Sequence, residues 1–137
     1  METMKVLIAC CGMKKEGNHL VKDIYQSTLF KLSLQYARTF AKDKDIFILS
    51  AKHGLLKLSD RIDSYDLSLT EMKSEERKSW ASKVRSQLRI IGTDFMVLAG
   101  SHYYKGLTGF KLDLPLEGLS IGFRLKKLKQ LLNESKS

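Results

Sequence analysis

Uninterrupted apolar runs and helically spaced apolar positions alternate along this chain. The runs occupy residues 5–10, 45–50 and 94–99. Each is continuous rather than alternating, which predicts strands buried on both faces. Between them lie helical patterns. Residues 27–40 place Leu29, Leu32, Tyr36 and Phe40 on one stripe, with Ser27 as the expected N-cap. Residues 74–91 place Trp80, Val84, Leu88 and Ile91 on another. There Ser74 is the expected cap, Glu75 and Glu76 suit the helix dipole, and Gly92 ends the helix. A short helix is predicted within residues 101–107 and a weaker fourth strand at 110–114, before Pro115. The last helix is predicted at 120–132. Its core side carries Ile121, Leu125, Leu128 and Leu132, and Arg124, Lys126, Lys127 and Lys129 face water. The polar stretch 51–69 is predicted as a loop, and ordered loops of that length usually carry function.

Buried strands alternating with amphipathic helices predict an α/β fold. The expected form is a three-layer, Rossmann-like sandwich: a mostly parallel sheet of about four strands with helices on both faces. Residues 1–132 read as one domain and 133–137 as a frayed tail. In open sheets of this kind, ligands sit beyond the C-terminal ends of the strands.

Bulk properties narrow the picture. An apolar fraction of 43% in 137 residues suits one domain with a real core. No run is long enough for a membrane span, and the apolar stretch at 6–9 is too short for a signal peptide core. The expectation is a cytoplasmic protein without a membrane partner. The two cysteines, Cys10 and Cys11, are adjacent, which strains a mutual disulfide, so they read as reduced thiols. The net charge of +9 suits nucleic acid, nucleotides or another polyanion, and equally a basic surface with no partner.

Four predicted strand ends carry small and polar residues. After the first come Cys10, Gly12 and Lys14, which could cradle a phosphate through backbone amides and a cation. The spacing is neither a P-loop nor a dinucleotide fingerprint, and a plain turn with solvated lysines fits it as well. After the second come Ser50, Lys52, His53 and Gly54, with Tyr65 and Asp66 about a dozen residues on. His and Asp are the groups of proton transfer near neutral pH. The same residues also serve as a turn and a packing pair. The third end offers Gly100 and Tyr104, the fourth Glu117 and Gly118. Cys10, Cys11, His19, His53 and His102 lack the regular spacing of a zinc site, so neither metal nor cofactor is expected. Either cysteine could be a nucleophile near Lys14, but a packed thiol is the simpler reading.

Several segments together resemble a family of small bacterial and phage domains of unknown function grouped with the peroxide-stress protein YaaA. The resemblance covers almost the whole chain. It rests on Val6-Leu7-Ile8-Ala9-Cys10 with Lys14 or Lys15, Ile24-Tyr25-Gln26-Ser27-Thr28-Leu29-Phe30, Leu49-Ser50-Ala51-Lys52-His53-Gly54-Leu55-Leu56, Ile62-Asp63-Ser64-Tyr65-Asp66-Leu67, Leu98-Ala99-Gly100 with Tyr104, and Pro115-Leu116-Glu117-Gly118. The family usually has Ser or Thr where Cys11 stands here. The resemblance implies a link to DNA binding and oxidative protection, and a distant likeness to base-modification and uracil-DNA-glycosylase folds. It also brings Tyr25 and Ser27, just before a helix N-terminus, to the expected rim.

Three functions stand side by side. The first is an enzyme acting on a nucleotide, nucleobase or nucleic acid, most concretely at an N-glycosidic bond. In it Asp66 positions water or stabilises positive charge on the sugar, His53 supports the leaving base, Lys14, Lys52 and amides near Gly12 hold phosphate, and Tyr25, Tyr65 or Tyr104 stacks on a base. The second is a non-catalytic nucleic-acid-binding module tied to DNA stress or mobile elements. The third is a small-molecule sensor or partner-binding protein.

Overall fold

A computed structural model describes residues 4–9 and 15–136. Its strands are β1 (Val6–Ala9), β2 (Asn18–Leu20), β3 (Ile46–Ser50), β4 (Gly54–Lys57), β5 (Arg61–Asp63), β6 (Asp94–Leu98) and β7 (Lys111–Asp113). Its helices are α1 (Val21–Ile24), α2 (Thr28–Ala37), α3 (Ser74–Ile91), α4 (Ser101–Tyr104) and α5 (Ile121–Lys136). The main sheet has five strands in the order β4-β3-β1-β6-β7, and β2 and β5 form a separate two-stranded ribbon. β1 runs parallel to β3 and β6, β6 runs parallel to β7, and only β4 is antiparallel. The fold is therefore α/β with a mostly parallel sheet.

Strand alternation divides the core. Val6, Ile8, Ile46, Ile48, Met96 and Leu98 enter one cluster with residues of α2 and α5. Leu7, Phe47, Leu49, Phe95 and Val97 enter a second, with Trp80, Val84 and Leu88 of α3. Successive side chains of a strand point to opposite faces, so the two clusters lie on opposite sides of the sheet. This is why the strands read as unbroken apolar runs.

The main correction concerns residues 51–69. They are not one loop. The chain turns back through residues 51–53, and β4 pairs with β3 from Ser50↔Gly54 to Phe47↔Lys57. Gly54 has φ +77, a left-handed conformation suited to a three-residue hairpin loop. Then β5 pairs antiparallel with β2 across more than forty residues of sequence. The backbone bonds Val21 N–H to Asp60 O and Ser64 N–H to Gly17 O fasten this ribbon. The main sheet thus gains a fifth strand over the expected four.

Three smaller differences concern helices. The buried residues of α2 are Phe30, Ser33, Leu34, Tyr36 and Ala37. Leu29 and Leu32 are only partly buried, and Phe40, beyond the helix end, is exposed. The row through 30, 34 and 37 packs because α2 must serve both the sheet and α5. Lys73, not Ser74, is the N-cap of α3; its amide donates to Glu76 Oε1 at 3.3 Å. In α5, Leu128 and Leu132 are buried, but Ile121 and Phe123 are 53% and 62% exposed. Only the later turns of α5 meet the core, and the helix continues to Lys136.

Candidate functional site

The C-terminal end of β3 leads into a buried polar chain. Ser50 closes the strand and is fully buried. Its carbonyl accepts from Trp80 Nε1 at 2.8 Å, so α3 clamps the strand end. Its Oγ accepts the His53 amide at 3.1 Å, which holds the hairpin turn. The same hydroxyl donates to Tyr65 Oη at 2.8 Å, and Tyr65 Oη lies 2.8 Å from Tyr25 Oη. Three elements far apart in sequence are thereby joined by hydroxyl groups in a place shielded from water. Such chains strengthen one another in a low-dielectric interior.

The His53 ring stands edge-on to Tyr65, with centroids 5.5 Å apart. Its Nε2 is buried and has no hydrogen-bond partner among the described residues. Burial pushes the imidazole below its ordinary pKa, and the charges of Lys52 and Lys83 push it further. Asp63 acts weakly in the opposite sense. The ring is therefore neutral at pH 7 and carries an unused buried nitrogen. A buried polar atom without a partner is uncommon and calls for a physical explanation.

α3 supplies the other wall. Gln87 Oε1 accepts the Leu55 amide at 3.0 Å. A Cβ at Gly54 would lie 2.8 Å from that oxygen and 3.3 Å from Lys83 Cε. Glycine suits position 54 for its φ, and a Cβ there would push the Gln87 carboxamide off the Leu55 amide. Lys83 and Gln87 stand one helical turn apart on a polar face. That spacing is visible in the sequence, but the partner of the face is not.

The structure brings Tyr25, Ser50, His53 and Tyr65 together, with Gly54 at the hairpin turn. Others stand apart. Asp66 is exposed, with no hydrogen bond to His53 among the described residues, and Lys52 is also exposed. Ser27 caps α2, its Oγ accepting the Phe30 amide at 3.1 Å. Tyr104 is half-buried against the cluster that holds Trp80. Glu117 and Gly118 lie in an exposed turn, with Gly118 at φ +76. Cys10, Gly12 and Lys14 fall outside the described residues, as does Cys11.

At the end of β6, two arginines appear that the sequence reading assigned to solvent or passed over. A Cβ at Gly100 would lie 3.3 Å from Arg124 Nη1 and 3.5 Å from Nη2. Arg124 is partly buried, and its Nε donates to Leu119 O at 3.2 Å. Arg77 Nη1 lies 3.4 Å from His102 Nδ1.

Two depressions complete the surface. One of about 380 Å³ adjoins Tyr25 and Phe30 and is edged by Lys15, Lys22 and Lys31. A larger groove of about 1040 Å³ lies at the opposite end of the sheet, between Lys5, Gly92, Asp94 and Lys111. It holds charges of both signs and none of the expected site residues. Among the described residues, no three His, Cys, Asp or Glu side chains are placed to hold a metal ion. Nor is any of their helices long and apolar enough to cross a membrane.

No curated protein matches the chain. A family model, however, matches residues 6–130, from the first residue of β1 into α5, and so spans all seven strands, the helices α1 to α4 and part of α5. The chain belongs to DUF6884, a family of unknown function.

Proposed function

We propose that this domain binds a nucleotide or nucleobase at the C-terminal rim of its sheet and acts on the N-glycosidic bond. The observation that carries this reading is the neutral His53 ring, whose buried Nε2 has no partner among the described residues. A neutral imidazole fixed against a hydroxyl chain is suited to hydrogen-bond a leaving base. In the reaction, water adds to the sugar carbon and its lost proton goes to Asp66. The carbon–nitrogen bond breaks with its electron pair passing to the base, which His53 Nε2–H hydrogen-bonds and which takes up a proton from solvent, while Asp66 returns its proton to solvent. Lys52 and Lys83 supply positive charge for phosphate. The position of the site beyond parallel strands and the resemblance to YaaA-type domains, read as a Rossmann-like three-layer arrangement, support the assignment.

The test is thermal stabilisation of the purified protein by nucleosides, nucleotides and free bases, repeated on His53→Ala/Asp66→Asn. Ligands that bind only the folded state raise the unfolding midpoint. The expected result is a rise with a base-containing ligand that the double variant loses, followed by release of free base in an assay. Full retention of that release by the double variant sinks the role assignment.

A second reading is a nucleic-acid-binding module without catalysis. Its specific support is the charge balance, 24 Lys and Arg against 15 Asp and Glu, a net of +9.

A further inference from the structure

We infer that Arg124 and Arg77 form a two-sided clamp for a phosphate group at the end of β6. The inference rests on the nucleotide reading above for its natural ligand and adds the residues that would hold the anion. Strand order locates the place. β1 connects outward to β3 on one side, and the chain then returns to β6 on the other. The ends of β1 and β6 therefore flank the point where the winding reverses, the usual crevice for ligands in open parallel sheets.

Two guanidinium groups meet the segment Gly100–His102 there. Arg124 comes from α5, whose Leu128 and Leu132 pack into the cluster on one face of the sheet. Arg77 comes from α3, whose Trp80 and Val84 pack into the cluster on the other face. Arg124 lies over Gly100 so closely that a Cβ there would press on Nη1 at 3.3 Å and touch Nη2 at 3.5 Å. Its Nε is spent on the Leu119 carbonyl, which fixes the fork and leaves the terminal nitrogens forward. A guanidinium can only donate, so the Arg77 contact makes His102 Nδ1 the acceptor. The remaining ring proton then sits on Nε2, which is a third donor. Neither arginine has a carboxylate partner among the described residues. A fork of donors, partly buried and without a protein anion, matches the geometry of phosphate.

The experiment measures binding of pyrophosphate, nucleoside 5′-monophosphates and the matching nucleosides by calorimetry. It compares the unaltered protein with Arg124→Gln, Arg77→Gln and Gly100→Ala. Gly100→Ala is chosen because its backbone φ of −76 accepts alanine while the new Cβ makes the guanidinium give way by a few tenths of an ångström. The expected result is a preference for monophosphate over nucleoside that falls about tenfold to a hundredfold in Arg124→Gln. Gly100→Ala should fall in the same direction, with nucleoside affinity unchanged in both. Arg77→Gln should weaken pyrophosphate as well. If the variants keep the full phosphate preference, or the unaltered protein binds neither pyrophosphate nor monophosphate, the clamp is overturned. Arginine-dependent pyrophosphate binding without any nucleoside or nucleotide selectivity would leave the clamp standing and remove the nucleotide reading. A short single-stranded oligonucleotide lacking a terminal phosphate separates the two sources of the anion. Arginine-dependent binding of it assigns the clamp to a backbone diester, and its failure beside a binding monophosphate assigns it to a terminal phosphate.

Discussion

At the scale of single residues, His53 shows how position outweighs identity. Three histidines occur in the chain, and at His53 burial depresses the pKa. His19 is satisfied by the Glu16 carbonyl at 2.8 Å, and His102 meets Arg77. The depression has a consequence for stability. Unfolded, the imidazole returns to about 6.5; folded, its pKa is lower. Below 6.5 the unfolded chain therefore binds more protons, and stability falls as pH falls. The contribution of the neutral ring is whole above 6.5 and is lost as pH drops through the folded value. Urea unfolding at a series of pH values from 7.5 to about 5 should show this decline. In His53→Gln the decline over that window should flatten. An unchanged slope in the variant would mean that other groups carry the pH dependence.

At the scale of elements, the β3–β4 hairpin is the unit on which the site depends. Its turn presents His53, its first strand ends at Ser50, and α3 holds it through Trp80 and Gln87. Gly54 and Gly118 provide a controlled comparison. Both have positive φ, +77 and +76, but a Cβ at Gly118 meets nothing within 4 Å. Alanine at 118 should cost only the backbone conformation, about 1 kcal/mol. Alanine at 54 adds the collision with Gln87, so its loss should exceed that of Gly118→Ala by about 1–2 kcal/mol. Denaturant unfolding of the two variants measures the difference. Equal losses would show that α3 yields freely and does not brace the hairpin. Other hairpin features were hard to see in the sequence. The turn lacks an Asn-Gly signal, and four residues with Leu55 and Leu56 adjacent do not alternate cleanly.

For the whole molecule, the charge of +9 with one ion pair among the described residues bears on partners rather than on fold. If nucleic acid is held along this surface, affinity must depend steeply on salt. Each neutralised phosphate of a single strand contributes about −0.7 to the slope of log affinity against log salt. A slope beyond about −2 for a short oligonucleotide, unaffected by His53→Ala, would favour the binding module. A shallow slope with dependence on His53 would favour the nucleotide site. Fluorescence anisotropy across a salt series decides between them.

By itself the sequence determined the three central strands, the long helices and the α/β class, because those depend on local apolar periodicity. Asp45 to Ser50 and Asp94 to Ala99 are nearly the observed β3 and β6. It also indicated which segments end at the C-terminal rim of the sheet, since that follows from strand direction. What it did not determine was every pairing over distance. The β2–β5 ribbon, the Ser50–Tyr65–Tyr25 hydroxyl chain, the packing of α2 on α5, and the contacts of Arg77 with His102 and of Arg124 with Gly100 each join residues far apart in the chain. None has a local signature, because a three-residue strand, a tyrosine or an arginine reads the same whether it meets a partner or water. Tertiary packing alone decides which polar groups lose solvent, and so which of them acquire a partner, a shifted pKa or an unused hydrogen bond.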